Sequence, residues 1–468
     1  MGAYQMLIGG RMVDGDLSMD VINPATEQIV ARCPRASLAQ LDAAVAAARA
    51  AFPAWSAMSI DGRRAALVKA AETIEANAAE IARILTQEQG KPLAAALEET
   101  YGAAAFFRYF ASMDLPGEVL ADDETRRVEV RYRPLGVVGA IVPWNYPLIL
   151  AAFKIPPALL AGNTIVVKPA GTTPLATLHL ARLLAPVFPA GVFNVIADAN
   201  DLGAEMTRHP GIDKISFTGS TATGAKVMAG AAATLKRVTL ELGGNDAAIV
   251  LDDVDVKAVA PKLFASAFTN SGQVCIAVKR LYVPDALYDA LCSELAALAD
   301  AAVVGNGLDE GTQFGPLQNR MQFERVKELL DDARRHGKVI AGGRVASPGE
   351  GFFIHPTIVR DIADGTRLVD EEQFGPVLPV IRYGALEDAI ARANASPYGL
   401  GGSVWSSDVG RAQAVAERME SGTVWVNKHL DLTPDVPFAG CRQSGVGTEL
   451  GVDGLREFTQ RRVINIAK

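Results

Sequence analysis

The fold of this chain is decided by a strand that turns directly into a helix, Lys214-Ile215-Ser216-Phe217-Thr218-Gly219-Ser220-Thr221-Ala222-Thr223-Gly224. Short Val/Ile runs alternate with helical patterns on both sides of it. We predict strands over 136–142, 164–167, 192–196, 214–217 and 238–240, and helices over 175–184, 201–208 and 222–232. Such alternation implies a parallel sheet that helices cover on both faces.

A second alternating set follows Glu241. We predict strands at 247–250, 280–283, 353–359, 377–382, 402–405 and 423–426, and helices near 256–269 and 285–302. Ala-rich segments with helical periodicity precede both sets, at 38–51, 63–85 and 93–111. The simplest organisation is two doubly wound α/β domains with their junction near Glu241.

Two segments fit neither domain. Residues 126–133 alternate polar and apolar side chains as a half-exposed strand does, and residues 462–466 do so more weakly. They are predicted to be two edge strands, and an unpaired edge can accept another strand.

Composition narrows the class of protein. A chain of 468 residues needs more than one core. Its net charge of −8, without a Lys/Arg run, argues against a nucleic-acid-binding surface. Four scattered cysteines without a C-x-x-C pair and only five histidines argue against a zinc site, and we expect no metal. No secretory signal or uninterrupted apolar span is visible, so we expect a cytoplasmic protein without a membrane partner.

Two segments have residues suited to covalent catalysis. Cys275 ends Ser271-Gly272-Gln273-Val274-Cys275, and Glu241 begins Glu241-Leu242-Gly243-Gly244-Asn245. A thiol in a glycine-containing loop can be a nucleophile, and a carboxylate beside it can activate water. Alone, neither segment decides, because a lone cysteine is more often a small apolar residue and a glutamate a solvated charge.

These segments, together with Pro143-Trp144-Asn145-Tyr146-Pro147 and Glu371-Glu372-Gln373-Phe374-Gly375-Pro376, resemble the aldehyde dehydrogenase superfamily over nearly the whole chain. The resemblance implies a Rossmann-like cofactor domain (1–116 and 136–241), a catalytic domain (242–443) and β segments for bridging and oligomerisation (117–135 and 444–468). It also implies a homodimer or homotetramer that oxidises a small-molecule aldehyde to the acid with NAD or NADP.

The resemblance assigns the catalytic roles. Cys275 is the nucleophile, and we expect nearby N–H groups or the cofactor ring to lower its pKa. Asn145 donates to the oxyanion, and Glu241 activates the water that hydrolyses the thioester. Lys154 and Glu449 form either a proton relay or a buried ion pair. Because relatives that acylate coenzyme A generally lack the glutamate, Glu241 favours a free acid. A coenzyme A-acylating enzyme and a non-catalytic structural relative remain the alternatives.

The implied cofactor residues lie at turns after predicted strands and in the 371–376 segment: Trp144, Lys168, Gly171, Gly219, Ser220, Gly224, Leu242, Glu372 and Phe374. Gly171 departs from the family, since many NAD-preferring relatives have glutamate there. The missing carboxylate would leave Lys168 as a cation for a 2′-phosphate. We therefore expect NADP to be accepted and favoured.

The implied substrate pocket is mostly apolar: Tyr146, Leu150, Phe153, Thr269, Val274, Ile276, Leu432 and Phe438. This lining favours an aliphatic or aromatic aldehyde, with Thr269 polarising or widening one position. A semialdehyde is the alternative, with Arg108 as the candidate for its carboxylate. The charged stretch from Lys428 to Asp431 is expected to be solvent-exposed.

Overall fold

Two separate sheets organise the protein, for which a computed structural model describes residues 4–468. The first sheet has eight strands, in spatial order β2 (Arg11–Val13), β1 (Met6–Ile8), β9 (Phe193–Val195), β8 (Thr164–Lys168), β7 (Val137–Ile141), β10 (Lys214–Thr218), β11 (Arg237–Glu241) and β21 (Gly445–Val446). Its five central strands, β9 to β11, are parallel. Strands β7, β8 and β10 are buried along their whole length, which explains their continuous apolar runs.

Within residues 4–245, the helices that precede the second sheet are α1 (Leu38–Ala57), α2 (Ile60–Ala76), α3 (Ala78–Gln89), α4 (Leu93–Ser112), α5 (Pro147–Ala152), α6 (Ile155–Leu160), α7 (Leu175–Leu184), α8 (Gly203–Arg208) and α9 (Thr221–Ala232). The helix predicted over 63–85 is two helices, because Asn77 leaves helical geometry at φ −114° and ψ 14°. Ser37 begins α1 with a capping box, in which its side chain accepts from the Gln40 amide.

The second sheet has seven strands, in spatial order β14 (Lys338–Ala341), β15 (Thr357–Arg360), β16 (Val377–Tyr383), β13 (Val278–Pro284), β12 (Asp246–Val250), β18 (Gly401–Trp405) and β19 (Thr423–Val426). All neighbours from β15 to β19 are parallel. Its helices are α10 (Val256–Phe268), α11 (Asp285–Asp300), α12 (Arg320–His336), α13 (Arg367–Asp370), α14 (Leu386–Asn394) and α15 (Val409–Ala416), and α16 (Gly451–Arg456) follows near the C-terminus. The predicted α/β class is confirmed.

The two alternating segments pair with each other. Strand β6 (Arg126–Pro134) lies between β22 (Thr459–Ala467) and β5 (Glu118–Asp122) in a separate three-stranded antiparallel sheet. The expected bridging segment 444–468 is therefore divided, since 445–446 pair with the end of β11 in the first sheet. Two further two-stranded sheets join β3 (Leu17–Ile22) to β4 (Ile29–Arg35), and β17 (Tyr398–Gly399) to β20 (Cys441–Arg442).

One large apolar cluster surrounds the first sheet, and two smaller clusters cover the faces of the second. The large cluster includes Val274, Cys275 and Ile276, so this loop packs against the first domain. Across residues 4–468, no helix has the length and apolar character needed to cross a membrane.

Asn163 joins the three-stranded sheet to the first domain. Its buried side chain accepts from the amides of Leu135 and Gly136 at 2.6 and 3.0 Å. It donates to the carbonyls of Ala158 and Phe458 at 3.1 and 2.8 Å, so the side chain is fully satisfied.

We expect Asn163→Ala to lower the free energy of unfolding by about 3 kcal/mol, because it leaves several buried backbone groups without partners. Urea unfolding followed by circular dichroism measures the change. Asn77→Ala is the control: its side chain makes one bond, to Thr73, within its own helix, so we expect a loss under about 1 kcal/mol. Equal losses in both variants would contradict the role given to Asn163.

Candidate active site

Cys275 lies at the end of a tight loop between α10 and β13. In its short turn, Thr269–Gly272, the two central residues have left-handed φ angles of 52° and 55°, and Gly272 has φ 73°. A Cβ on Gly272 would lie 2.3 Å from the carbonyl oxygen of Gly375. Only glycine therefore allows this loop to approach the 371–376 segment so closely. Cys275 itself is half-buried.

The groups of the protein around the Cys275 thiol raise its pKa. Burial raises the pKa of Cys275 to about 12. Lys279 lowers it, but the carboxylates of Asp246, Glu372 and Glu241 raise it further. Three acidic groups and one cation thus act on this half-buried thiol, and a pKa lowered by the cofactor ring stays a prediction.

Lys279 is a site residue that the sequence reasoning missed. Its buried ammonium donates to the carbonyl oxygens of Val274 and Cys275 at 2.8 and 2.6 Å. It also lies 3.8 Å from the Glu372 carboxylate. This cation therefore fixes the backbone of the loop that contains Cys275 and links it to the predicted cofactor segment 371–376.

Asn145, in the first domain, bonds the loop that contains Cys275. Its side-chain amide donates to the carbonyl oxygen of Gln273 at 3.0 Å and retains a second N–H. The backbone carbonyl oxygen of Asn145 accepts from the side chains of Lys91 and Asn270, each at 3.0 Å. The amide is buried and fixed, which suits an oxyanion donor.

A buried ion pair supports the turn that contains Asn145. The Lys91 ammonium contacts the Glu99 carboxylate and lies 3.6 Å above the Tyr146 ring. Glu99 also accepts from the Leu148 amide at 2.9 Å, at the start of α5. The pKa of Lys91 is lowered, mainly because the ammonium is buried. No local sequence pattern indicated this pair.

Glu241 is the last residue of β11 and is buried. In the described residues 4–468, neither of its carboxylate oxygens has a hydrogen-bond partner. Its pKa is raised well above the usual value, first by burial and then by Glu449, while Lys154 lowers it. An unpartnered buried carboxyl of this kind can accept a proton from a molecule that enters the pocket.

Lys154 and Glu449 do form a buried ion pair. The Lys154 ammonium lies 2.5 Å from Glu449 Oε1 and donates to the Thr218 hydroxyl at 2.8 Å. Ser216 donates to the same carboxylate oxygen at 3.2 Å, while Glu449 Oε2 has no hydrogen-bond partner among the described groups. The pair acts on the pKa of Glu241, so the three groups form one electrostatic unit.

The predicted phosphate-binding turn starts α9. The Ser220 hydroxyl accepts from the Thr223 amide at 3.3 Å, which caps the helix. Gly219 donates to the carbonyl oxygen of Glu241 at 2.9 Å. A Cβ on Gly224 would lie 2.4 Å from Leu242 Cδ2, so this glycine allows close packing of the helix on the sheet.

Glu372 and Phe374 lie near Lys279, which bonds the loop that contains Cys275. Glu372 accepts from the Gly244 amide at 3.0 Å, and burial raises its pKa while Lys279 lowers it. Phe374 has a left-handed φ of 48°. Its ring meets the Trp144 ring edge-on, with centroids 5.4 Å apart. Trp144 and Phe374 thus contact each other, and Lys279 lies 3.8 Å from Glu372 and 6.0 Å from the Phe374 ring centroid.

Lys168 is not the free cation that the sequence suggested. Its ammonium lies 2.7 Å from the carboxylate of Asp198, and both side chains are buried. The predicted preference for NADP therefore loses one of its two supports. The other support, the absence of a carboxylate at Gly171, is unchanged.

Seven of the eight predicted pocket residues pack in the same apolar cluster as Cys275. Five are buried, and two are partly buried against them: Leu150, Phe153, Val274, Ile276 and Phe438, then Tyr146 and Leu432. The exception is Thr269, which is exposed and donates its hydroxyl to the Ala265 carbonyl at 2.7 Å within its own helix. Its role of widening or polarising the pocket stays a prediction.

The candidate for a substrate carboxylate has a partner elsewhere. Arg108 donates twice to Glu75 on the surface, at 2.8 and 2.6 Å. His429, expected in an exposed stretch, is buried, and its Nε2 lies 2.6 Å from the carbonyl oxygen of Ile276. Burial lowers the pKa of His429 to about 3, so the ring is neutral. The ring contacts Ile276, the residue that follows Cys275.

We expect Lys279→Met to slow alkylation of Cys275 by iodoacetamide roughly tenfold at pH 8, because removal of a neighbouring cation raises a thiol pKa. The rate should be measured by mass spectrometry over a range of pH in a Cys441→Ser background, since Cys441 is exposed.

Lys214→Met is the matched control for that measurement. Lys214 is equally buried, but its ammonium bonds Thr239 in the first domain. If the two lysine variants lost reactivity equally, the effect would be one of general stability and not of the local charge.

Comparisons with known proteins identify the family. The model of the aldehyde dehydrogenase family matches residues 12–464. A phenylacetaldehyde dehydrogenase of Pseudomonas fluorescens is 38% identical over 99% of this chain and 96% of its own length. Two solved structures each superpose with a TM-score of 0.97. One is an NADP-dependent enzyme of E. coli, 36% identical over 100% of this chain and 98% of that one. The other is an aldehyde dehydrogenase of Bacillus cereus in complex with NAD+, 35% identical over 100% and 97%.

The family match covers almost all of the chain, and the relatives are similar along their full length. Together with the α/β fold and the grouping of the thiol, the amide and the carboxyl, this shows that the chain belongs to the aldehyde dehydrogenase family.

Proposed function

We propose that the protein oxidises an aldehyde to the free carboxylic acid with NAD(P)+, through a thiohemiacetal and a thioester on Cys275. The observation that carries the proposal is the Glu241 carboxyl, which is buried, unpartnered and close enough to the thiol to raise its pKa. A pocket that only transferred the acyl group to another thiol would not need such a base.

The residues present fit a nicotinamide dinucleotide. Lys168, Gly219 and Glu241 follow or end parallel strands, so they share the carboxyl edge of the first sheet, where dinucleotides bind. The N-terminus of α9 at Ser220 suits a pyrophosphate, and Glu372 suits a ribose. When bound there, the cofactor would supply the hydride acceptor.

Addition to the aldehyde begins the proposed sequence. The Cys275 sulfur bonds to the carbonyl carbon, and the thiol proton leaves the sulfur. The free N–H of the Asn145 side chain donates to the oxygen, where negative charge develops. Loss of hydride from the same carbon then leaves a thioester on Cys275.

Hydrolysis completes the sequence. Ionised Glu241 takes a proton from water as the water oxygen attacks the thioester carbon, and the C–S bond breaks to release the acid and a thiolate, which then takes up a proton again. Glu449 Oε2 and the Lys154 ammonium provide a buried path by which that proton leaves Glu241. The sum is aldehyde, NAD(P)+ and water in, and acid, NAD(P)H and a proton out.

The proposed substrate class is an aliphatic or aromatic aldehyde. The apolar lining around Cys275 supports it, and one relative is named for phenylacetaldehyde, an aldehyde that contains an aromatic ring. A semialdehyde is less well supported, since Arg108 is occupied by Glu75. An aldehyde panel with NAD+ and NADP+, in the absence of coenzyme A, tests the class.

We also propose that the protein is a homo-oligomer. Val119, Leu120 and Val463 of the three-stranded sheet are each half or more exposed, at 50, 57 and 57%. Apolar side chains on a small sheet with open edges suit contact with a second copy.

We expect Glu241→Gln to form about one equivalent of reduced cofactor per site and then stop, because hydride transfer precedes the step that needs the base. Stopped-flow absorbance at the NAD(P)H band measures it. Asn145→Ala should instead slow the burst by about a hundredfold or more, because it removes an oxyanion donor. Continued turnover by the glutamine variant without coenzyme A would exclude Glu241 as the base.

The hydrolytic step should lose rate as pH falls through a pKa well above the usual glutamate value, because Glu241 acts only when ionised. The sign follows from the raised pKa: protonation occurs at higher pH than for an exposed glutamate. Single-turnover hydrolysis of a preformed thioester at pH 5 to 9 measures the profile. A rate that is flat down to pH 5 would contradict this role.

A further inference from the structure

Lys168 and Asp198 form an ion pair at the carboxyl edge of the first sheet. Lys168 ends β8, and Asp198 follows the neighbouring strand β9 by three residues. The ammonium and carboxylate atoms are 2.7 Å apart, and only 4% and 0% of the two side chains is exposed. At that distance the carboxylate offsets the charge of the ammonium toward any third group.

Asp198 is fixed from its other side as well. Its second carboxylate oxygen accepts from the Leu202 amide at 2.8 Å, just before α8. An ammonium has three N–H donors, and Asp198 takes one of them. Lys168 is therefore a fixed hydrogen-bond donor whose positive charge is offset by the Asp198 carboxylate.

Gly171 shows why no other carboxylate can take this place. A Cβ on Gly171 would lie 2.6 Å from the Asp198 carbonyl oxygen and 3.3 Å from the Ala199 Cα. The backbone after β9 thus occupies the space into which a side chain at 171 would extend. Asp198 compensates the acidic residue that is missing at 171.

We propose that Asp198 is a specificity-determining positioning residue: by pairing with Lys168, it makes this end of the site favour a dinucleotide with a free 2′-hydroxyl, NAD, over one with a 2′-phosphate, NADP. A held N–H donor suits a hydroxyl, while a phosphate would meet the Asp198 charge in a buried setting. The inference rests on the proposed function. It reverses the preference for NADP expected from Gly171, because that expectation counted Lys168 as uncompensated.

Equilibrium binding tests the inference without catalysis. Isothermal titration of the wild type should show NAD+ binding about tenfold or more tighter than NADP+, since an adjacent like charge disfavours the phosphate. Asp198→Asn keeps the side-chain volume and an acceptor for Leu202 while it removes the charge. We expect it to move the ratio of the two Kd values about tenfold or more toward NADP+, mainly through tighter NADP+ binding.

Two further variants separate the action of Asp198 through Lys168 from a general field. Asp201→Asn makes the same charge change in the same loop, but Asp201 pairs with Arg35 at 2.6 Å. Its Kd ratio should change less than about twofold, because that charge already has its own partner. In a Lys168→Met background, Asp198→Asn should change the ratio much less than in the wild type, as a double-mutant cycle reveals.

The outcomes are distinct. If both dinucleotides bind and Asp198→Asn, with a native melting temperature, leaves the ratio unchanged, the inference fails while the proposed function stands. Tighter NADP+ binding by the wild type also overturns it, and that measurement needs no variant to fold. If neither dinucleotide binds, the proposed function fails, and the inference with it.

Discussion

The hydrogen bond from the Asn145 side chain to the Gln273 carbonyl joins the two domains where the chemistry is proposed to occur. It spans 128 positions of sequence and is buried, so neither group has water as an alternative partner. Gln273 is in turn fixed, because its side chain accepts from the Gln318 amide at 2.8 Å and donates to the Asn270 carbonyl at 2.9 Å. The spacing of amide, thiol and carboxyl therefore depends on how the two domains meet, and not on either domain alone.

A buried lysine interacts with each proposed reactive residue. Lys279 donates to the Cys275 carbonyl, and Lys91, paired with Glu99, donates to the Asn145 carbonyl. Lys154, paired with Glu449, acts on the pKa of Glu241. Buried charges contribute little net stability, because desolvation offsets their attraction. What they provide is orientation, since an ammonium with several fixed partners allows the backbone around it only one arrangement. The site thus gives up some stability in exchange for rigidity in three places.

The sequence predicted those parts of the fold in which local pattern and burial agree. Strands β7, β8 and β10 are continuous apolar runs because both faces of the sheet are covered, and their predicted bounds differ from the observed ones by one residue or less at each end. Helix α12 was not predicted, although its buried residues Phe323, Val326 and Leu330 recur at the three- and four-residue spacing of an amphipathic helix. In the site, contiguous motifs indicated the nucleophile, the amide and the glutamate. Lys279, Lys91 and Asp198 act through partners in other segments, which no local pattern identifies.

The raised pKa of Cys275 has a consequence for the enzyme at rest. Peroxides react with thiolates far faster than with thiols, and the first oxidation product leads on to irreversible acids. A half-buried cysteine with a raised pKa, close to several carboxylates, is a poor target for such oxidants. The same acidic surroundings that delay ionisation therefore preserve the sulfur between turnovers, and the exposed Cys441 is the thiol that oxidants would reach first.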